Sequence, residues 1–380
     1  MPFFSFSVNE INSSLKKFNI IANKIYFSKN TELWKLLNKL KGSEINSLRY
    51  EKRVPVAKIS KNILFCLPPS IGLGDAIEYA LSIKKIAENK TFENIAVAFT
   101  GEYAFLFERY FNIKNNYPYI INKNELIKFD TIFHVTLEIN SLVNQKYYRS
   151  NIFDEILNYF KIKNIKIKKT YFNKNIKVNK ISIFPISNSP IRTMSYKTLN
   201  NLIKILIQKY QIEVYLDKRS EISNFVLSNL NTENVSVINP KDKSELFSMI
   251  KNIEYGLFMD SGPLHIAKMF KRRGLLLETS VASNILLKNY KLIKGIKNNF
   301  SSPFCKAPCG LTDIFNYDSR YGCYDSLSIT SEKLKSNKFK NMISRGVKNY
   351  YLKNTINPVN CVSALNVQNI HYAISKDLSL

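Results

Sequence analysis

The stretch Asp260-Ser261-Gly262-Pro263-Leu264-His265 places an acid, a hydroxyl, a glycine and an imidazole directly after the apolar run Tyr255–Met259. That order describes a strand that stops, turns on Ser-Gly-Pro and opens a helix. A helix N-terminus carries unsatisfied N–H groups and partial positive charge. Glycine lets an anion approach the backbone, and Pro263 fits the first helical turn, where its missing N–H costs nothing. Ser261 can add a hydroxyl donor, and His265 can face the same anion. Asp260 would repel a phosphate if it pointed inward, so it is expected to accept loop N–H groups or bind a neutral hydroxyl. The plainer use of these residues is a cap at Ser261, with His265 packed between helix and sheet. A second turn of this kind, Ser70-Ile71-Gly72-Leu73-Gly74-Asp75, follows the apolar run 62–69 and precedes Ala76, Ile77, Ala80 and Ile83 at helical spacing.

The elements around both turns alternate. Apolar runs at 62–69, 94–100, 117–121 and 131–137 read as strands, with helical patterns over 76–87 and 102–111 between them. A basic, Asn-rich stretch, 161–180, breaks the pattern. The alternation then resumes: strands at 180–187, 212–217, 235–239, 255–260 and 273–278, and helices at 195–210, 220–230, 243–253 and 263–270, the third capped by Asp242 or Ser244. Alternating β and α is the signature of parallel sheets covered by helices. In such sheets ligands bind outside the carboxyl ends of the strands, and both turns lie there. Residues 1–60 read as a helical, polar lead-in with Trp34 on an amphipathic stretch. Residues 331–353 read as a basic helix.

Bulk properties narrow the function classes. A chain of 380 residues suggests two domains, and 45% hydrophobic with 13% aromatic residues supplies their cores and excludes global disorder. No run reaches the length of a membrane span. The opening MPFFSFSVNE has no basic n-region or small-residue cleavage site, so the chain reads as cytosolic. Lys and Arg number 56 against 29 acids, a net charge of +27. That suits an anionic partner: nucleic acid, an acidic membrane surface or an anionic small substrate. The lysines are scattered among Asn and Ile, which suits a compositional bias equally well. No compact basic motif is interleaved with stacking aromatics, which argues against nucleic acid. The five cysteines, Cys66, Cys305, Cys309, Cys323 and Cys361, are odd in number and widely spaced, unlike a disulfide framework. Cys305, Cys309 and Cys323 lack a fourth zinc ligand nearby in sequence and read as reduced structural thiols.

At this point the chain resembles a family. DSGPLHIAKMF, Asp260–Phe270, looks like the D-[ST]-G-x-x-H-[LI]-A segment of glycosyltransferase family 9, the ADP-heptose:lipopolysaccharide heptosyltransferases and their relatives. Four further segments fall in the family's order: ILFCLPPSIGLGDAIEYALSIKKI, ISIFPISNSPIRTMSYKTLNNLIKIL, IEVYLDKRSE and CKAPCGLTDIFNYDSRYGCYDSLSI. The resemblance covers roughly residues 60–335 and implies a GT-B fold: two doubly wound Rossmann-like domains facing a central cleft. The expected domains are a helical extension (1–60), an acceptor-side domain (61–170), a nucleotide-sugar domain (171–335) and a helical tail packing back across the first domain (336–380). The implied activity is sugar transfer with inversion and without a metal or other cofactor. The donor is a nucleotide-diphosphate sugar, ADP-heptose in the family, and the acceptor a cell-surface glycan or lipopolysaccharide. An anionic, membrane-attached acceptor would suit the basic surface and a cytoplasmic enzyme at the inner membrane face.

The resemblance also implies roles. Asp75 matches the family's catalytic aspartate and would act as base towards the acceptor hydroxyl, with Gly72 and Gly74 in the acceptor-side loop; its local use is to cap a helix starting at Ala76. Arg192 stands at the family's lysine and would stabilise the departing diphosphate. Glu221 matches the acid that binds the nucleotide ribose, or else is a solvated first-turn residue. Asp260, Ser261, Gly262 and His265 belong to the donor site. The chain departs from the family at Ile186, where glycine is usual, at Thr193-Met194, where an aromatic is usual, and at Glu278-Thr279-Ser280, where an aromatic-Gly-Pro turn is usual. The rival reading is a non-catalytic basic protein that holds nucleic acid or an anionic glycan.

Overall fold

A computed structural model describes residues 3–7, 24–26, 61–67, 72–89, 92–99, 102–113, 116–117, 120–122, 128–129, 131–135, 151–160, 162, 177–288, 290–302, 306–311 and 358–378. The chain forms two compact units, Met1–Gln145 with Ile152–Ile165, and Lys146–Asn151 with Lys166–Leu380. Each is an α/β unit built on its own sheet, as the alternating pattern predicts.

In the first unit, β1 (Phe3–Ser7), β3 (Asn62–Cys66), β4 (Asn94–Ala98), β5 (Asn116–Tyr117) and β7 (Thr131–Val135) form a sheet of order β1-β7-β3-β4-β5. All its pairings are parallel except β1 with β7. A separate antiparallel pair joins β2 (Lys24–Tyr26) to β6 (Ile120–Asn122). Helix α1 (Leu73–Glu88) buries Ala76, Ile77, Tyr79, Ala80, Ile83 and Ile86. Helices α2 (Phe105–Phe111) and α3 (Ile152–Tyr159) pack beside it. Ile63, Leu64 and Phe65 from β3 and Ala96, Val97 and Ala98 from β4 are buried centrally, the continuous apolar run of a strand covered on both faces.

Two expectations need correction. Residues 3–7 and 24–26 are strands rather than parts of a helical lead-in; Phe3–Ser7 gains its ladder from β7, more than a hundred residues away. The stretch around Trp34 and residues 331–353 lie outside the described residues. Of the tail expected on the first domain (336–380), the described residues 358–378 belong to the second unit and pack on its core.

The second unit carries six parallel strands: β8 (Lys180–Phe184), β9 (Gln211–Tyr215), β10 (Val235–Ile238), β11 (Tyr255–Phe258), β12 (Gly274–Leu277) and β13 (Ile293–Ile296). Their order is β10-β9-β8-β11-β12-β13. Counted from β8 this is 3-2-1-4-5-6, the Rossmann order, with its reversal point between β8 and β11. The helices are α4 (Tyr196–Leu206), α5 (Glu221–Ser228), α6 (Lys243–Lys251), α7 (Gly262–Met269), α8 (Ser283–Leu286), α9 (Asn360–Ser363) and α10 (Val367–Leu378). One sheet face presents Ile181, Ile183, Ile212, Val214, Tyr255, Leu257, Leu275 and Leu277 to Leu199, Leu202, Ile203 and Leu206 of α4, Val226 of α5, and Ile370 and Ile374 of α10. The opposite face stacks Phe184 between Tyr215 and Phe258, with centroids 4.4 and 5.1 Å apart. Beside that stack a Cβ on Gly274 would meet the Gly256 carbonyl oxygen at 2.0 Å, so only glycine permits the approach. Among the described residues no helix is long and apolar enough to cross a membrane.

Helix α10 is tied down by polar contacts as well as by Ile370 and Ile374. The buried Tyr255 hydroxyl donates to Asp377 Oδ2 at 2.9 Å, Lys294 pairs with Oδ1, and Arg273 Nη2 donates to the Asp377 carbonyl at 3.2 Å. Burial, and then the Asp377 charge, pushes the Tyr255 phenol far above its usual range, so it remains a donor. Asp377→Ala would strand that buried hydroxyl. We expect a loss of about 1–3 kcal/mol, measured by urea unfolding; a midpoint unchanged from wild type would show that the latch contributes nothing.

Candidate functional site

Strands β8 and β11 are neighbours, and the chain leaves them towards helices of different connections, so their carboxyl-end loops part at the reversal point. The loop after β8 is cross-braced from within. The Met194 N–H donates to the Pro185 carbonyl at 2.8 Å and the Arg192 N–H to Ser189 at 3.1 Å. The buried Thr193 hydroxyl accepts from the Ser187 N–H at 3.1 Å and lies 3.0 Å from the carbonyls of both Ser187 and Ser189. Ser195 then caps α4 by accepting from the Thr198 N–H. Pro190–Arg192 forms a single 3-10 turn. Below it, Ile191 joins an apolar cluster with Ala307, Leu311, Val359, Cys361 and Val362, so the turn rests on the returning end of the chain.

This bracing aims Arg192 at the loop after β11. Its Nη1 donates to Asp260 Oδ2 at 3.2 Å and to the Asp260 carbonyl at 3.3 Å. Both side chains are mostly buried. Arg192 Nε is buried and unpaired, and no hydrogen bond among the described residues uses Nη2. The guanidinium therefore spends one nitrogen on Asp260, while its Nε, sealed from solvent, is left without an acceptor. The sequence places Asp260 against loop N–H groups or a hydroxyl; the structure gives it a cation from 68 positions away.

Asp260 leads into α7. Ser261 occupies the cap position, but its hydroxyl turns back to the Met259 carbonyl at 3.2 Å and makes no side-chain cap. The expected Ser261 cap is thus corrected, and the first amides of α7 stay uncapped by a side chain. Gly262 opens the helix and Pro263 follows in its first turn. His265 is buried.

The neighbouring carboxyl ends complete the surroundings. Glu221 is the first residue of α5, whose cap is Ser220. Before it, Asp217 and Arg219 form a bidentate pair at the end of β9; neither was singled out in the sequence, although an acid closing the second strand of a Rossmann half is a recognisable signal. Beyond β12, Glu278 Oε1 accepts the Ser283 N–H at 2.9 Å and so caps α8. Thr279 and Ser280 are buried with unpaired hydroxyls. Ile186 packs on the main apolar core, which accounts for a large side chain where the resembling family has glycine.

In the first unit, α1 begins one residue after Gly72, its cap position. Asp75 is therefore inside the first turn and is not the cap of a helix starting at Ala76. There an acid complements the helix dipole. Its Oδ2 lies 3.7 Å from the point a Cβ on Gly72 would occupy, so the carboxylate folds back towards the helix mouth. Its charge, after burial, helps raise the Tyr79 phenol well above its usual range. Gly74 is the second residue of α1. Among the described residues no group of three or more His, Cys, Asp or Glu could hold a metal. Cys309 and Cys361 pack with the cluster under Arg192, while Cys305 and Cys323 lie outside the described residues.

The fold defines a Rossmann-like unit whose reversal point carries the Arg192–Asp260 pair. No family model matches the sequence, and no curated protein matches it. Among solved structures the chain is similar to a glycosyl transferase family 9 protein of Veillonella parvula, at 11% identity and TM-score 0.49, covering 84% of this chain and 97% of that one. It is also similar to TibC, an iron-containing dodecameric glycosyltransferase of enterotoxigenic E. coli, at 11% identity and TM-score 0.47, covering 84% and 76%. A third is the E. coli heptosyltransferase WaaC with ADP-2-deoxy-2-fluoro heptose, at 10% identity and TM-score 0.43, covering 75% and 100%.

Thr193→Val keeps the side-chain shape but removes the hydroxyl's hydrogen bonds with Ser187 and Ser189. We expect it to lower stability by about 1–3 kcal/mol, with the thermal midpoint as the readout; an unchanged midpoint would mean the loop is held by its apolar contacts alone.

Proposed function

We propose that the protein is an inverting, metal-independent glycosyltransferase of GT-B form that takes a nucleotide-diphosphate sugar as donor. The observation that carries this reading is the Arg192 guanidinium, held at one nitrogen by Asp260 and unpaired at its buried Nε, beside the start of α7 at the reversal point of a Rossmann sheet. Glycosyl transfer builds positive character on the sugar and negative charge on the departing diphosphate. A fixed guanidinium and helix amides supply the complementary charge where it develops. Asp75, in the first turn of α1, is the base that takes the acceptor hydroxyl's proton; the resemblance of the Gly72–Asp75 segment supports that role. Glu221 binds the ribose, and Asp260 orients Arg192. The acceptor is a cell-surface glycan of lipopolysaccharide type, reached from the cytoplasm at an anionic membrane face that the +27 charge would favour.

Calorimetry with ADP-, UDP- and GDP-sugars tests the donor site: binding below millimolar by at least one is expected, and binding by none would end the enzyme reading. Arg192→Gln should weaken that binding at least tenfold, because the anion loses its charged fork. Asp75→Asn should leave donor binding intact and slow turnover by about 10²–10⁴-fold. Turnover at the wild-type rate would remove the base assignment alone. Inversion would be read from the anomeric configuration of the product by NMR, and metal independence from full activity in EDTA.

A further inference from the structure

At the carboxyl end of β9 the Arg219 side chain is bound at all three nitrogens. Nε donates to Asp217 Oδ1 at 2.8 Å, Nη2 to Asp217 Oδ2 at 3.0 Å and Nη1 to the Lys241 carbonyl at 3.3 Å. Hydrogen bonds to a guanidinium lie in its plane, so these three of its five N–H donors hold that plane from its edges and leave its two faces. The side chain is nevertheless 61% exposed. The turn does not need this side chain to hold its shape. Ser220 N–H donates to the Asp217 carbonyl, Lys218 N–H to Asn239 Oδ1, and Asn224 Nδ2 to the Lys218 carbonyl, all within 2.9 Å. What the arginine gains from its partners is a fixed orientation. Its hydrogen bonds hold the Asp217 carboxyl below its ordinary value, so the clamp stays ionised into mild acid.

The position matters as much as the plane. Strand β9 is the second strand counted from β8, and in a Rossmann half its carboxyl end is where the nucleoside lies. It is two strand spacings, about 10 Å, from β11, whose end carries Asp260 and the start of α7. A diphosphate at Arg192 would bring its nucleoside towards this end of the sheet.

We infer that Arg219 is a stacking platform for the nucleobase of the donor, with Asp217 as the positioning residue that keeps its plane flat to the base. The inference rests on the nucleotide-sugar reading above. A guanidinium face stacks on any base, so the platform contributes affinity for the nucleoside and discriminates little between bases; selectivity for the base must come from groups on its edge.

The test is equilibrium binding of ADP, GDP and inorganic pyrophosphate to the full chain. Arg219→Ala should weaken ADP and GDP about tenfold each and leave pyrophosphate unchanged. Arg219→Lys should restore neither, since a point charge has no stacking face, and both variants should melt with the wild type. The platform is overturned if Arg219→Ala binds ADP as the wild type does, if Arg219→Lys restores it, or if pyrophosphate affinity falls in parallel. Those outcomes leave the nucleotide-sugar reading standing provided the wild type binds ADP or GDP more tightly than pyrophosphate. A wild type that binds none of the three overturns both.

Discussion

The reversal of strand order between β8 and β11 is the constraint from which the second unit's chemistry follows. Where neighbouring parallel strands send their chains to different connections, no backbone bridges their carboxyl ends, and the loops that leave them part. Polar groups buried on those loops must find partners or carry a desolvation cost. Here the loops find each other: Arg192 from one loop meets both the carboxylate and the carbonyl of Asp260 from the other. That contact fixes the spacing of the two loops at the point where α7 begins. It leaves the buried Nε without a partner, because one acid reaches only one nitrogen of a group that has three.

Packing below the two loops is arranged to hold them still. On one face, aliphatic side chains from β8, β9, β11 and β12 meet α4, α5 and α10. On the other, Phe184, Tyr215 and Phe258 stack in a row at the carboxyl ends of three adjacent strands, directly under the loops. Glycines at 256 and 274 make room for that row and let β11 and β12 approach. The chain's end closes the structure twice: α10 through Asp377, and the segment around Cys361 through Asn298 Nδ2, which donates to the carbonyls of both Glu278 and Cys361. The loop after β12 and the turn carrying Arg192 are thereby supported by residues far downstream in sequence.

The second unit's elements were legible because each is specified locally. The runs 180–184 and 255–258 are apolar and sharply bounded, α4 repeats Leu199, Leu202, Ile203 and Leu206 on one face, and Asp242 caps α6 by accepting the Glu245 N–H. Strand β1 was not legible, because Phe3–Ser7 owes its conformation to a pairing with Thr131–Val135 that no local rule encodes. The site divided in the same way. The turn into α7 follows from Ser-Gly-Pro, but the partner of Asp260 does not, since it arrives from another loop. Ser261 shows the limit of propensity: a residue type that favours caps sits at the cap position and sends its hydroxyl back to Met259 instead. Asp75 shows the limit of boundaries, since a helix starting at Leu73 instead of Ala76 turns a cap into a first-turn acid.

The substitution of arginine for the lysine of the resembling family has a physical rationale here. A lysine ammonium is a compact point charge. A guanidinium spreads its charge over three nitrogens in a plane, so Asp260 takes Nη1 at a fixed angle while the buried Nε stays without a partner. The acid then ceases to be a competitor for the cation and becomes the group that sets its angle. The same logic recurs at β9, where Asp217 occupies the edge of Arg219 and leaves its faces. In both places a carboxylate that would repel a phosphate if left alone is consumed in orienting an arginine.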